Sequence, residues 1–289
     1  MSLVRDASGL EAAARAYWSQ VHPVFMLPPL AASLFGAILA RGADPGVATI
    51  HVLAMFAAVY TAHVKDGYID FHVRGEDDDH PLTVAGCRLG LTASSALFAV
   101  CCVLLWLAVG PIAVALTVPA WIIAYFHAPQ LDMHPISATM GYPAGIALSI
   151  LGGYYVQATS LAPVPIAFAI VFLVLLSGIK VIDDTKDYDY DRSIRKRTVA
   201  VVVGPARAYT LAYGLMATGM AIVVLMVALG FFPPGALLAI AAFGLVAAIA
   251  RRGDAALATM LLIRGSYVFL AVLVAAVWFE PLEALLSLL

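Results

Sequence analysis

Asp183 to Thr198 reads D-D-T-K-D-Y-D-Y-D-R-S-I-R-K-R-T, five carboxylates and five cations in sixteen residues. It follows an apolar run, Pro165 to Gly178, of the kind that lies in hydrocarbon. Asp183, Asp187 and Asp191 are spaced i, i+4, i+8, so a helix continuing past Ile182 stacks all three on one face. Stacked carboxylates repel, and at a membrane boundary they invite a divalent cation. Mg²⁺ takes oxygen ligands, keeps some waters, and is held by one or two carboxylates plus substrate phosphates. The cations Arg192, Arg195, Lys196 and Arg197 suit phosphate oxygens. The plainer reading of such a run is a charge-balanced loop in water, and a second acidic row elsewhere argues against it.

The class follows from composition. Of 289 residues, 63% are hydrophobic and only 12% charged, with a mean hydropathy of +0.96. A soluble domain carries about twice that charge, so the chain reads as an all-α, polytopic membrane protein. A net charge of −2 points to no nucleic-acid partner. Cys87, Cys101 and Cys102 lack metal spacing, and the latter two lie inside an apolar segment as small packing residues. The N-terminus is amphipathic and charged, unlike a cleavable signal peptide. Residues 1–16 read as an interfacial helix with Ser8-x-x-Glu11 as a capping box.

Nine apolar segments are long enough to span, at about 20 residues per crossing. They lie near 18–40, 47–66, 88–109, 111–128, 136–158, 165–182, 206–230, 232–250 and 258–279. Nine crossings place the N-terminus and even-numbered loops on one side. Arg5, Arg15, Lys65, Arg74, Arg88, the seven cations from Lys180 to Arg207, and Arg251, Arg252 and Arg264 all fall there. That is 15 of the 16 Lys and Arg residues, with Arg41 alone opposite. The bias makes this face cytoplasmic and puts the C-terminus across the membrane.

The second acidic row is Asp66 and Asp70, in A-H-V-K-D-G-Y-I-D-F-H-V-R at the cytoplasmic end of the second span. Similar tails follow both rows, H-P-L-T-V-A-G (80–86) and K-R-T-V-A-V-V-V-G (196–204). This weak repeat predicts one transmembrane domain over 1–289, built of two four-helix halves plus one helix. Such a bundle brings the rows face to face across a cavity open to the cytoplasm. Ionisable groups at the membrane boundary are costly and usually functional.

On these motifs the chain resembles the UbiA superfamily of intramembrane prenyltransferases over nearly its full length. Ala62 to Asp70 is similar to the family's N-x-x-x-D-x-x-x-D, and Asp183 to Arg192 to its D-x-x-x-D-x-x-x-D. H-P-L-T-V-A-G resembles R-P-L-x-x-G, and Tyr125-Phe126-His127-Ala128-Pro129 resembles the family's Tyr-Ser-x-Pro turn. Ala62 stands for Asn, His22 and His80 for Arg, and Asp132 lies about where a Lys is expected.

The resemblance implies a Mg²⁺-dependent transferase of isoprenoid biosynthesis that ionises an allylic prenyl diphosphate donor in the lipid bilayer. Asp66 and Asp70 would bind one Mg²⁺; Asp183, Asp187 and Asp191 would bind another. Lys65, Arg74, Lys180, Arg192, Lys196 and Arg197 are the candidate diphosphate contacts. Water quenches an allylic cation, so the site must be dry and apolar, and tyrosine faces can stabilise the cation. An aromatic or other lipophilic acceptor makes the chain a prenyltransferase; attack by the donor's own double bond makes it a terpene cyclase. His63, beside the Asp66 row, is the candidate proton acceptor. A transporter reading fits less well, because the acids cluster on one face instead of at mid-membrane.

Overall fold

The computed structural model describes residues 2–5, 8–40, 42 and 44–280. Arg41 and residues 281–289, which include the C-terminus, lie outside the described residues. Among the described residues the fold is all-helical, without strands. Its helices are α1 (Leu10–Trp18), α2 (Pro23–Leu39), α3 (Pro45–Gly67), α4 (Val84–Ala108), α5 (Pro111–Phe126), α6 (Pro135–Ala158), α7 (Pro163–Lys186), α8 (Tyr188–Ser193), α9 (Val199–Val203), α10 (Pro205–Ala228), α11 (Leu237–Ala250) and α12 (Ala255–Phe279). Six begin with proline, whose missing N–H falls where a helix's first turn has no acceptor for it.

Among the described residues seven helices are long and apolar enough to cross a membrane, and the pair α1–α2, bent by 70°, makes an eighth if it is one span. The segment expected near 232–250 is apolar but short, Pro234–Ala250. The chain is an integral, multi-pass membrane protein.

The N-terminal helix begins at Leu10 rather than spanning 1–16, and Gly9, not Ser8, is its N-cap, with no side-chain bond there. Nearer the N-terminus the backbone is already used. Val4 pairs with Leu82, the Arg5 N–H donates to the Pro81 carbonyl (3.1 Å), and the Thr83 N–H donates to the Leu3 carbonyl (3.1 Å).

The chain forms two compact units, Met1–Asp132 with Ala144–Leu161, and Met133–Pro143 with Ala162–Leu289. In the first, Ala54, Met55, Ala57 and Ala58 of α3 pack with Phe98, Cys101 and Cys102 of α4 and Ala120 and Ala124 of α5. Both cysteines are packing residues, as expected. Small residues let the backbones approach: a Cβ on Gly153 would strike the Ser33 carbonyl of α2, and one on Gly36 the Ile150 carbonyl of α6. In the second unit, Gly178 of α7 faces the Ala212 carbonyl of α10, and Phe172, Phe243 and Phe269 form an aromatic chain with centroids 5.9–6.2 Å apart. The two similar sequence tails share a device: Thr83 caps α4 by accepting from the Gly86 N–H, and Thr198 caps α9 by accepting from the Val201 N–H.

Candidate active site

The first acidic row closes α3. Its helix passes at Tyr68 into a wider π-helical turn, Tyr68–Arg74, ended by Gly75 at φ +66°. A left-handed glycine is a common helix stop because it has no Cβ to clash. The stop turns the Glu76 N–H onto the Asp70 carbonyl at 2.7 Å. Asp66 and Asp70 are both half-buried.

Arg74 lies among carboxylates. One Nη1 donates to Asp132 Oδ2 at 2.9 Å and Asp70 Oδ1 at 3.4 Å, and Nε stands 3.7 Å from Glu76 Oε1. Asp132 is 5% exposed, and its Oδ1 has no protein partner. The structure thus gathers Asp70, Arg74, Glu76 and Asp132, of which Glu76 and Asp132 were not among the candidate ligands. Their separation in sequence hides the cluster; only the odd acid at Asp132 signalled it.

Lys65 turns elsewhere. Its Nζ donates to the Tyr125 carbonyl at 2.6 Å and sits 3.9 Å from the Tyr125 ring centroid. The ammonium therefore anchors the Tyr125–Pro129 turn at the end of α5. Tyr125 stacks on Trp121 at 5.0 Å, and Trp121 on Phe98 at 6.0 Å. His63 pairs with His22, ring centroids 4.8 Å apart, and with Phe25 at 6.2 Å.

The second row closes α7 but does not run as one straight helix. The helix stops at Lys186; Asp187 (φ −98°, ψ 14°) is the joint, and α8 begins at Tyr188. Asp183 therefore lies in the last turn of one helix and Asp191 belongs to the next, instead of the three acids lining one face. Lys180 Nζ sits between Asp183 (2.9 Å) and Asp184 (2.8 Å), and Lys186 Nζ reaches Asp183 Oδ1 at 2.5 Å. Asp184, 4% exposed, was not a candidate; its i, i+4 spacing from Lys180 was the available signal. Asp191 is buried against Lys196 at 3.7 Å. Burial raises its carboxyl above the usual carboxylate range, with Lys196 pulling the other way. Asp187, Arg192 and Arg197 are exposed.

These groups are hard oxygen donors, suited to Mg²⁺, and the partnerless buried oxygens of Asp132 and Asp184 show acceptor capacity the protein does not itself use. A family model, the UbiA prenyltransferase family, matches residues 26–259. The chain belongs to this UbiA family. Among curated proteins none matches by sequence. The fold is similar to that of a digeranylgeranylglyceryl phosphate synthase (12% identity, 92% of this chain and 96% of that one, TM-score 0.71). It is also similar to a UbiA homologue from Aeropyrum pernix K1 (16%, 88% and 97%, TM-score 0.70). A UbiA homologue from Archaeoglobus fulgidus, bound to GPP and Mg²⁺, matches at 17% identity over 91% and 99%, with a TM-score of 0.65. At these identities the likeness concerns the fold.

Proposed function

We infer that the chain is a Mg²⁺-dependent intramembrane prenyltransferase that ionises an allylic prenyl diphosphate and passes the prenyl group to an aromatic or other lipophilic acceptor. One observation carries the reading: in a member of the UbiA family, two membrane-length helices each close on an aspartate row, Asp66 in α3 with Asp70 in the π-helical turn that follows, and Asp183 in α7 with Asp187 just past its end. A UbiA homologue holding GPP and Mg²⁺ supports the choice of donor and metal.

Asp66 and Asp70 would hold one ion, and Asp183, Asp187 and Asp191 another. Bound there, Mg²⁺ supplies charge neutralisation for the departing diphosphate. The protein's own groups do the rest. Arg74, Lys180, Lys186 and Lys196 hold the acids, and with Arg192 and Arg197 they would contact the diphosphate oxygens. Lys65 holds the Tyr125 turn, and the Tyr125–Trp121–Phe98 stack makes the wall behind it apolar. His63, paired with His22, accepts the proton that the acceptor sheds. Nine crossings, with the N-terminus and both rows on the cytoplasmic side, complete the proposal.

The test is pyrophosphate release by purified protein from dimethylallyl and geranyl diphosphate with Mg²⁺. Release that requires an added lipophilic phenol supports the transferase. Release without acceptor, with a cyclic product, replaces it with the cyclase. No release from these or longer donors, with or without acceptors, overturns the reading.

A further inference from the structure

Three residues that the proposed function does not use meet in the first unit. His72 lies on the π-helical turn, His80 in the following loop, and Cys87 in the first turn of α4. One ligand-type atom of each lies within 4.8 Å of the others. Their sequence spacing, seven and six residues between neighbours, matches no familiar metal pattern. Folding brings them together because Gly75 turns the chain back and Thr83 starts α4.

We propose that His72, His80 and Cys87 bind Zn²⁺. The donor set is two imidazole nitrogens and a sulfur, the borderline-soft set that zinc takes and magnesium does not. The cluster is interior: His80 is 4% exposed and Cys87 0%. Both imidazoles are oriented by one backbone oxygen. The Leu82 carbonyl lies 3.0 Å from His72 Nε2 and 3.2 Å from His80 Nδ1. A zinc-binding histidine commonly donates its second ring N–H to a backbone carbonyl in this way. The Leu82 N–H also lies 3.2 Å from His80 Nδ1; the tautomers that donate to the Leu82 carbonyl are the ones that leave His72 Nδ1 and His80 Nε2 with lone pairs for a metal. His80 Nε2 is buried and has no hydrogen-bond partner. Beside it is Gly67, whose missing side chain makes room for the ring itself: a Cβ there would stand 2.6 Å from Nε2. Core packing accounts for the Cys87 thiol among Val4, Ala16, Val64 and Leu82, but gives no reason to bury a partnerless imidazole nitrogen.

Zinc bonds of about 2.0–2.1 Å to nitrogen and 2.3 Å to sulfur place these tetrahedral ligands about 3.3–3.6 Å apart, so the cluster, within 4.8 Å, closes on the ion by side-chain rotation. Three protein ligands leave a fourth position for water. The ion would tie the π-helical turn to the start of α4. If the functional reading holds, it thereby stiffens the segment carrying Asp70 and Arg74.

The experiment is Co²⁺ substitution of the full chain in detergent, followed by optical spectroscopy, with zinc content measured in parallel. The expected result is about one zinc per chain and a near-ultraviolet thiolate-to-cobalt charge-transfer band. Cys87→Ser abolishes the band, and His72→Gln, on a half-buried residue, lowers zinc retention at least tenfold. An Asp66→Asn/Asp183→Asn variant keeps both signals, which separates this site from the acidic rows. A wild-type protein without the band, or a band that survives Cys87→Ser, overturns the proposal. None of these readouts depends on prenyl transfer, so either reading can fail alone.

Discussion

Asp132→Asn tests whether the acidic cluster around Arg74 acts on a cation at the first aspartate row. Asp132 and Asp70 bind the same Nη1 of Arg74, at 2.9 and 3.4 Å, so their carboxylate oxygens stand no more than about 6 Å apart by that geometry. Across 6 Å a unit charge contributes about 0.7 kcal/mol in a water-like medium and about 3 kcal/mol at an effective dielectric of 20. Arg74 lies between the two acids and Asp70 is 24% exposed, which favours the lower figure. For a divalent ion it doubles to about 1.4 kcal/mol, or about tenfold in affinity. The freed guanidinium also leans further on Asp70, in the same direction. For a diphosphate the sign reverses, because Arg74 loses its strongest competitor. Mn²⁺ titration followed by electron paramagnetic resonance, in an Asp183→Asn/Asp187→Asn background, isolates the first row. The expected result is about tenfold weaker Mn²⁺ binding, with geranyl diphosphate binding tighter at saturating metal. Asparagine keeps an oxygen for Arg74, so the fold should hold. Unchanged or tighter Mn²⁺ binding would refute the coupling.

Asp66→Asn and Asp183→Asn should each lower pyrophosphate release at least about a thousandfold, and the double variant should be no worse than either, because ligands serving one turnover are non-additive; additive losses would mean the rows act separately. Lys65→Met removes a charged hydrogen bond and a cation–π contact at Tyr125, with an expected loss of about 1.5–3 kcal/mol, read as a lower thermal midpoint in detergent and partly restored in Lys65→Arg. Lys180→Met strands the buried Asp184. The expected loss is about 2 kcal/mol, below the roughly 3–5 kcal/mol of a fully enclosed pair because the lysine side chain is 36% exposed. Adding Asp184→Asn should recover most of it, and a double variant less stable than Lys180→Met would contradict the pairing.

Helix positions were legible because hydrocarbon demands long apolar runs and proline marks their starts. The α3, α4, α6, α10 and α12 segments were placed to within a few residues. Polar partnerships were harder to read. The break at Asp187 depends on a single residue's dihedral angles, and the alternative of a continuous helix satisfies the same i, i+4 spacing. The Arg74–Asp132 pair joins positions 58 residues apart, and no local pattern encodes such a contact. Ser8 looked like a cap because the sequence offers a serine three residues before a glutamate, yet Leu3 and Arg5 bond to the 81–83 backbone instead, and the helix starts one residue later.

The two rows solve one physical problem by different means. Carboxylates at the end of a helix meet the negative end of its dipole as well as one another, so each row needs cations beside it. On α7 they come from the same helix, Lys180 and Lys186 at i−3 and i+3 of Asp183, and flexible lysine stems can swing away without disturbing the backbone. On the first row the cation is Arg74, held by Asp132 from beyond α5. A planar, multiply bonded guanidinium is harder to displace than an ammonium. On the proposed function, the second row would therefore yield its acids to an incoming ion at lower cost, whereas the first would keep a fixed positive group beside its acids. Substitution at Lys186 should accordingly change metal affinity, and substitution at Arg74 should change the fold of the 70–76 turn along with it.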